Sequence, residues 1–172
     1  ENMALGMFDN TAYAVSAPYI YENTVIWAEK DPSDDSKSAI YSVTFEDLGK
    51  VNQSDEYNPD DETDSGLAEP KVFSTGTYVH KHKCNGDIYV WIDKNNAPDS
   101  VLYYAYKNET PVKFWNNVTQ YALGDDFITF VSNQTVYAYY YKTDVLAQVS
   151  QSGRSAILPQ CTGNLVVWED KT

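Results

Sequence analysis

The chain is short of positive charge and of sulfur, and it has no long apolar run. Arg154 is its one arginine, and 12 basic residues stand against 25 acidic ones, giving a net charge of −13. Affinity for nucleic acid comes from Lys and Arg neutralising phosphates, so a nucleic-acid partner is excluded. An anionic membrane surface is disfavoured for the same reason. No stretch of 18 apolar residues occurs, so no segment is expected to insert into a membrane as a helix. Gly-x-Ser-x-Gly, His-Glu-x-x-His, the phosphate loop and the dinucleotide fingerprint are all missing. No window of about 12 residues shows a 3.6-residue apolar period bounded by caps, so helices are not expected. The sequence opens on Glu1 without a secretory signal, and reads as a processed or excised piece of a longer protein.

What is present is strand-forming material. The 172 residues suit one domain, 42% of them are apolar, and 15 are tyrosine. Four stretches repeat one unit, a turn followed by a short apolar strand around a large aromatic ring. They are Tyr21 to Trp27, Cys84 to Trp91, Leu123 to Phe130 and Cys161 to Trp168. Such a unit cannot bury its strand alone, so the copies must pack on one another. Val25-Ile26-Trp27 and Val166-Val167-Trp168 are continuous apolar runs, which a strand shows when both its faces are covered. A four-stranded blade sandwiched between two neighbours meets that condition.

The expected fold is therefore all-β: a β-propeller-like array of four-stranded antiparallel blades, three full and one partial, forming a small ring or an arc of a larger one. The units run over about 11–52, 71–115, 117–150 and 153–172, with 1–8 a candidate to complete the last, all in a single domain spanning 1–172. Within them, Trp27, Trp91, Phe130 and Trp168 take one core slot, and Tyr41, Tyr103 and Tyr137 take the paired slot on the next strand. The first unit is expected to end in a short outer strand near Lys50-Val51. Residues 53–70 carry seven carboxylates and no Lys or Arg, and read as an exposed acidic insertion between units.

The motif Gly86-Asp87-Ile88-Tyr89-Val90-Trp91-Ile92-Asp93 followed by Leu102-Tyr103 resembles the repeat of TolB-like β-propellers and of propeller repeats in archaeal and bacterial surface proteins. It recurs as Asn23 to Trp27 with Ile40-Tyr41, and as Gly163 to Asp170. The resemblance implies a propeller fold. It implies no particular activity, since propellers host many.

Candidate chemistry is sparse. On a regular strand His80, His82 and Cys84 would share one face, a zinc or copper candidate that lacks further ligands nearby. Asp60, Glu62 and Asp64 precede Gly66 in an imperfect calcium-loop pattern, and Asp31, Asp34 and Asp35 form a second acidic group, so calcium is the one cofactor to consider. Cys84 and Cys161 hold equivalent repeat positions and are candidates for a disulfide or for two buried thiols. Asn52, Asn108, Asn117 and Asn133 head glycosylation sequons. Among the clustered tyrosines, Tyr140 points away from Tyr137 and Tyr139 and is the surface candidate for stacking.

The functional expectation is a non-enzymatic extracellular or cell-surface module, structural or adhesive, that contacts a protein or glycan. The alternatives are a propeller-type glycan-active enzyme with channel carboxylates, and a subunit that joins other copies of itself by strand exchange.

Overall fold

The computed structural model describes residues 17–31, 33–44, 71–76, 78–94, 100–107, 109–151 and 154–171, and all regular structure among them is β. Fourteen strands form three four-stranded antiparallel sheets and one two-stranded sheet. Blade 1 is β1 (Tyr19–Tyr21), β2 (Thr24–Asp31), β3 (Asp34–Thr44) and β4 (Lys71–Gly76). Blade 2 is β5 (Val79–Cys84), β6 (Ile88–Lys94), β7 (Ser100–Tyr106) and β8 (Val112–Asn116). Blade 3 is β9 (Val118–Leu123), β10 (Ile128–Ser132), β11 (Thr135–Tyr140) and β12 (Val145–Gln148). Blade 4 is the pair β13 (Ser155–Thr162) and β14 (Leu165–Lys171). Strand order within every sheet follows the chain, so each blade is a plain meander.

Tight turns set this meander. Asn133 and Gln134 link β10 to β11 with φ of 49° and 63°, the double left-handed backbone of a two-residue hairpin. At the Asn85-Gly86 turn Gly86 takes φ 89°, and the Asn85 Oδ1 accepts from the amides of Asp87 and Ile88.

Between blades the side chains sort by strand parity. In β6, Tyr89 and Trp91 join Ile26, Ile40 and Phe73 in a cluster between blades 1 and 2. The alternate residues Ile88, Val90 and Ile92 join Leu102, Phe130 and Tyr139 in a cluster between blades 2 and 3. A third, smaller cluster of Val131, Val136 and Ala156 joins blades 3 and 4. Both faces of β6 and β10 are thus covered, and every residue of Ile88–Asp93 and of β10 is buried. That is the physical content of a continuous apolar run in a middle strand.

The repeat aromatics are direct cross-strand neighbours. Trp27 pairs with Tyr41, Trp91 with Tyr103, and Phe130 with Tyr137. Each pair is stacked, at ring separations of 5.6, 6.0 and 5.4 Å. Trp91 is fully enclosed against blade 1 and Phe130 against blade 2. Trp168 lies against the cluster shared with blade 3.

Two expectations need correction. The outer strand of blade 1 is β4, which pairs with β3 at Ile40↔Phe73 and Tyr41↔Val72. The acidic stretch therefore interrupts blade 1 between its third and fourth strands and does not separate two blades, and the second unit begins at Val79 rather than Lys71. Lys50 and Val51, like residues 1–8 and 53–70, lie outside the described residues. The second correction concerns β14. Its burial alternates, with Leu165 58% and Val167 48% exposed. Val166-Val167-Trp168 has one covered face, because among the described residues no blade packs on the other.

Candidate ligand-binding groove

Each strand reverses at one of two rims of the array. The rim that carries the starts of β7, β9 and β13 and the β10–β11 turn holds two adjoining recesses. The larger, about 430 Å³, is lined by Ser100, Asn117, Thr119, Asn133, Gln134 and Ser155, with Val131 and Ile157 beneath. The smaller, about 310 Å³, has Phe114 and Trp115 on one side and Asn116, Asn117 and Asn133 on the other. Asn117 and Asn133 line both recesses. Asn117 (φ 57°) sits where β8 hands over to β9, so its left-handed backbone turns the chain from one blade to the next. Trp115 is held by Phe130 and Tyr137, each 5.6 Å away, so the aromatic wall is anchored in the seam between blades 2 and 3.

No ionisable side chain lines either recess among the described residues. The surface offered is amide, hydroxyl and aromatic. Amides give paired donors and acceptors, and the aromatic wall gives an apolar plane. Such a groove can hold a neutral polar ligand.

The sequence-derived metal candidate does not assemble. Strand β5 carries a bulge: His80 pairs with Ile92, yet Lys83 pairs with Val90, and Lys81 takes φ 53°. The extra residue reverses the alternation, so His80 shares a face with Ile92 while Cys84, opposite Tyr89, lies on the other face. His82 is buried and its Nε2 lies 3.1 Å from the Ala17 carbonyl. Burial holds both imidazoles below their ordinary pKa, aided at His80 by the charges of Lys81 and Lys94. No group of three His, Cys, Asp or Glu side chains able to hold an ion occurs among the described residues. Asp31 accepts from the backbone and hydroxyl of Ser33, and Asp34 pairs with Lys37 at 2.9 Å. Asp60, Glu62 and Asp64 lie outside the described residues.

Cys84 and Cys161 are both free thiols. Cys84 is buried in the seam between blades 1 and 2, where loss of water pushes its pKa up to about 11. Burial also raises that of Cys161. Neither is a reactive thiolate at neutral pH. Of the sequon asparagines, Asn117 and Asn133 are exposed at the groove, and Asn52 and Asn108 lie outside the described residues. Tyr140 is the exposed member of its cluster, with its ring 5.1 Å from that of Phe127, whereas Tyr139 stacks on Phe114 at 4.1 Å inside the seam.

The opposite rim is a staple. Lys142 bridges Asp87 of blade 2 and Asp126 of blade 3 at 2.9 and 2.8 Å. The Asn85 amide donates to the Gly124 carbonyl and the Tyr141 hydroxyl, again across the seam. These donors and acceptors are spent on each other.

No family model and no curated protein matches this chain. Solved structures do. One is the β-propeller domain of the Trilobed protease from Pyrococcus furiosus, described as having an open velcro topology. The two superpose with a TM-score of 0.58 at 9% identity, over 85% of this chain and 45% of that one, so this chain spans less than half of its neighbour's length. At that identity the likeness is one of fold: the chain is an all-β propeller array of four-stranded antiparallel blades.

Proposed function

We propose that the chain is a non-catalytic propeller module of a secreted or cell-surface protein, structural or adhesive in role, that binds a neutral glycan or an amide-bearing protein surface through the rim groove. The observation that carries this reading is the composition of the groove: amides and hydroxyls from three blades around an aromatic wall, with no ionisable group among the described residues. Sugar hydroxyls pair with amide donors and acceptors, and the apolar face of a pyranose ring lies against Trp or Phe. The propeller fold supports a binding role, since it presents loops from several blades at one rim. The repeat's likeness to TolB-like and surface-protein propellers supports a secreted setting.

The test is binding of the unglycosylated chain to a glycan array, beside a double variant Asn117→Gly/Asn133→Gly. Glycine keeps the left-handed backbone at both positions, so the fold should persist while both amides are lost. The expected result is retention of one class of neutral glycan by the parent chain and none by the variant. Equal binding by both would place the ligand elsewhere, and an array with no signal would overturn the glycan reading.

A further inference from the structure

The seam between blades 2 and 3 holds a dipeptide with chemistry of its own. Asn85-Gly86 forms the turn from β5 to β6, at the rim where Lys142 bridges Asp87 and Asp126. In an Asn-Gly pair the glycine amide nitrogen can attack the asparagine Cγ, because glycine has no side chain to hinder it. A bond forms from Gly86 N to Asn85 Cγ, the Cγ–Nδ2 bond breaks, and ammonia leaves with the proton that the Gly86 amide gives up. Water then opens the succinimide to an aspartate or isoaspartate at position 85.

The partners of Asn85 divide by blade. Its Oδ1 accepts from the amides of Asp87 and Ile88, both at 3.1 Å and both in blade 2. Two such donors stabilise the negative charge that this oxygen carries during attack. Its Nδ2 is held by blade 3, donating to the carbonyls of Gly124 and Asp125 at 2.7 and 3.3 Å and to the Tyr141 hydroxyl at 2.9 Å. All three are acceptors here, since Tyr141 gives its own hydrogen to the Asp125 carbonyl. None of the three can hand a proton to the departing nitrogen. The nucleophile is engaged as well, because the Gly86 amide is directed at the Cys84 sulfur. Stacked blades thus keep the carbonyl polarised and lock the leaving group. Parting blades 2 and 3 removes the lock, while the donors to Oδ1 stay with Asn85.

We propose that Asn85 is a self-modification site gated by this seam: it is stable while blade 3 holds it, and it deamidates when the two blades part. The product is a carboxylate that faces the Gly124 and Asp125 carbonyls, on a rim that already carries Asp87 and Asp126. A donor to blade 3 is lost and a like charge is added. The seam then recloses less firmly, so a transient opening leaves a permanent mark.

The test follows position 85 by peptide mass spectrometry while the intact chain stands in mildly alkaline buffer, beside a synthetic peptide of residues 81–92. The expected result is conversion at least about tenfold slower in the folded chain than in the peptide, since only the opened fraction reacts. Two variants loosen the lock. Lys142→Ala removes an exposed bridge across the seam, and Tyr141→Phe removes one acceptor of Nδ2. Each should speed conversion by at least about twofold. Asn85→Asp places the product's carboxylate at the seam and should lower the midpoint of a denaturant titration. Conversion as fast in the folded chain as in the peptide, a rate unmoved by both variants, or an Asn85→Asp chain as stable as the parent would each overturn the proposal.

Discussion

At the scale of single residues, the aromatic slot and the buried imidazole make the sharpest demands. Trp91 is fully enclosed and touches Phe73 and Tyr103, so Trp91→Ala should cost about 3–5 kcal/mol in a denaturant titration. Trp168 holds the same slot in a blade with one covered face, and Trp168→Ala should cost only about 1–2 kcal/mol. Equal costs would mean that the two slots are not graded by enclosure. His82 is a second probe. Burial lowers its pKa in the folded chain, so the fold favours the neutral ring. Its contribution is complete above the unfolded value of about 6.5 and is lost as pH falls through the lower folded value. Stability should therefore decline from about pH 6.5 downward, before most carboxylates titrate, by up to about 1.4 kcal/mol per pH unit for one proton. His82→Gln should flatten the curve just below about pH 6.5. An unchanged slope in thermal melts across that window would contradict the burial of the ring.

At the scale of elements, the bulged leading strands are the joints of the array. The β5 bulge turns backbone groups out of the ladder, and blade 3 meets them. Tyr121 donates its hydroxyl to the carbonyl of Val90 at 2.8 Å and contacts that of Lys81, and Lys81 Nζ donates to the Thr119 carbonyl. Strand β13 repeats the device: its bulge puts Leu158 at φ 51°, and the Leu158 amide donates to Gln120 Oε1 at 2.6 Å. Tyr121→Phe keeps the ring and removes the pin, so the carbonyls of Val90 and Lys81 lose that donor. It should cost about 1–3 kcal/mol by chemical denaturation, and a neutral result would show that the hydroxyl is dispensable. These joints also mark where reading the chain fails. A bulge centred on Lys81 has no glycine to announce it, so strict alternation put His80 and Cys84 on one face. Strand β4 follows a long acidic stretch, so by sequence alone the nearer Lys50-Val51 reads as the outer strand of blade 1. The middle strands were legible, because two-sided burial writes itself as an unbroken apolar run in β6 and β10. The groove was not, because Ser100, Asn117, Asn133 and Ser155 meet only once blades 2, 3 and 4 are stacked.

At the scale of the whole molecule, stability should be uneven along the array. Blades 2 and 3 share the largest of the three apolar clusters, and blade 4 hangs on the smallest. In a repeat array each unit is held mainly by its neighbours, so protection should follow this gradient. Residue-resolved hydrogen exchange on the intact chain tests the stacked-blade arrangement directly. The account predicts the slowest exchange in β6, β7, β10 and β11, and faster exchange in β13 and β14. Uniform protection across all fourteen strands, or amides in β14 as slow as those around Trp91, would contradict it.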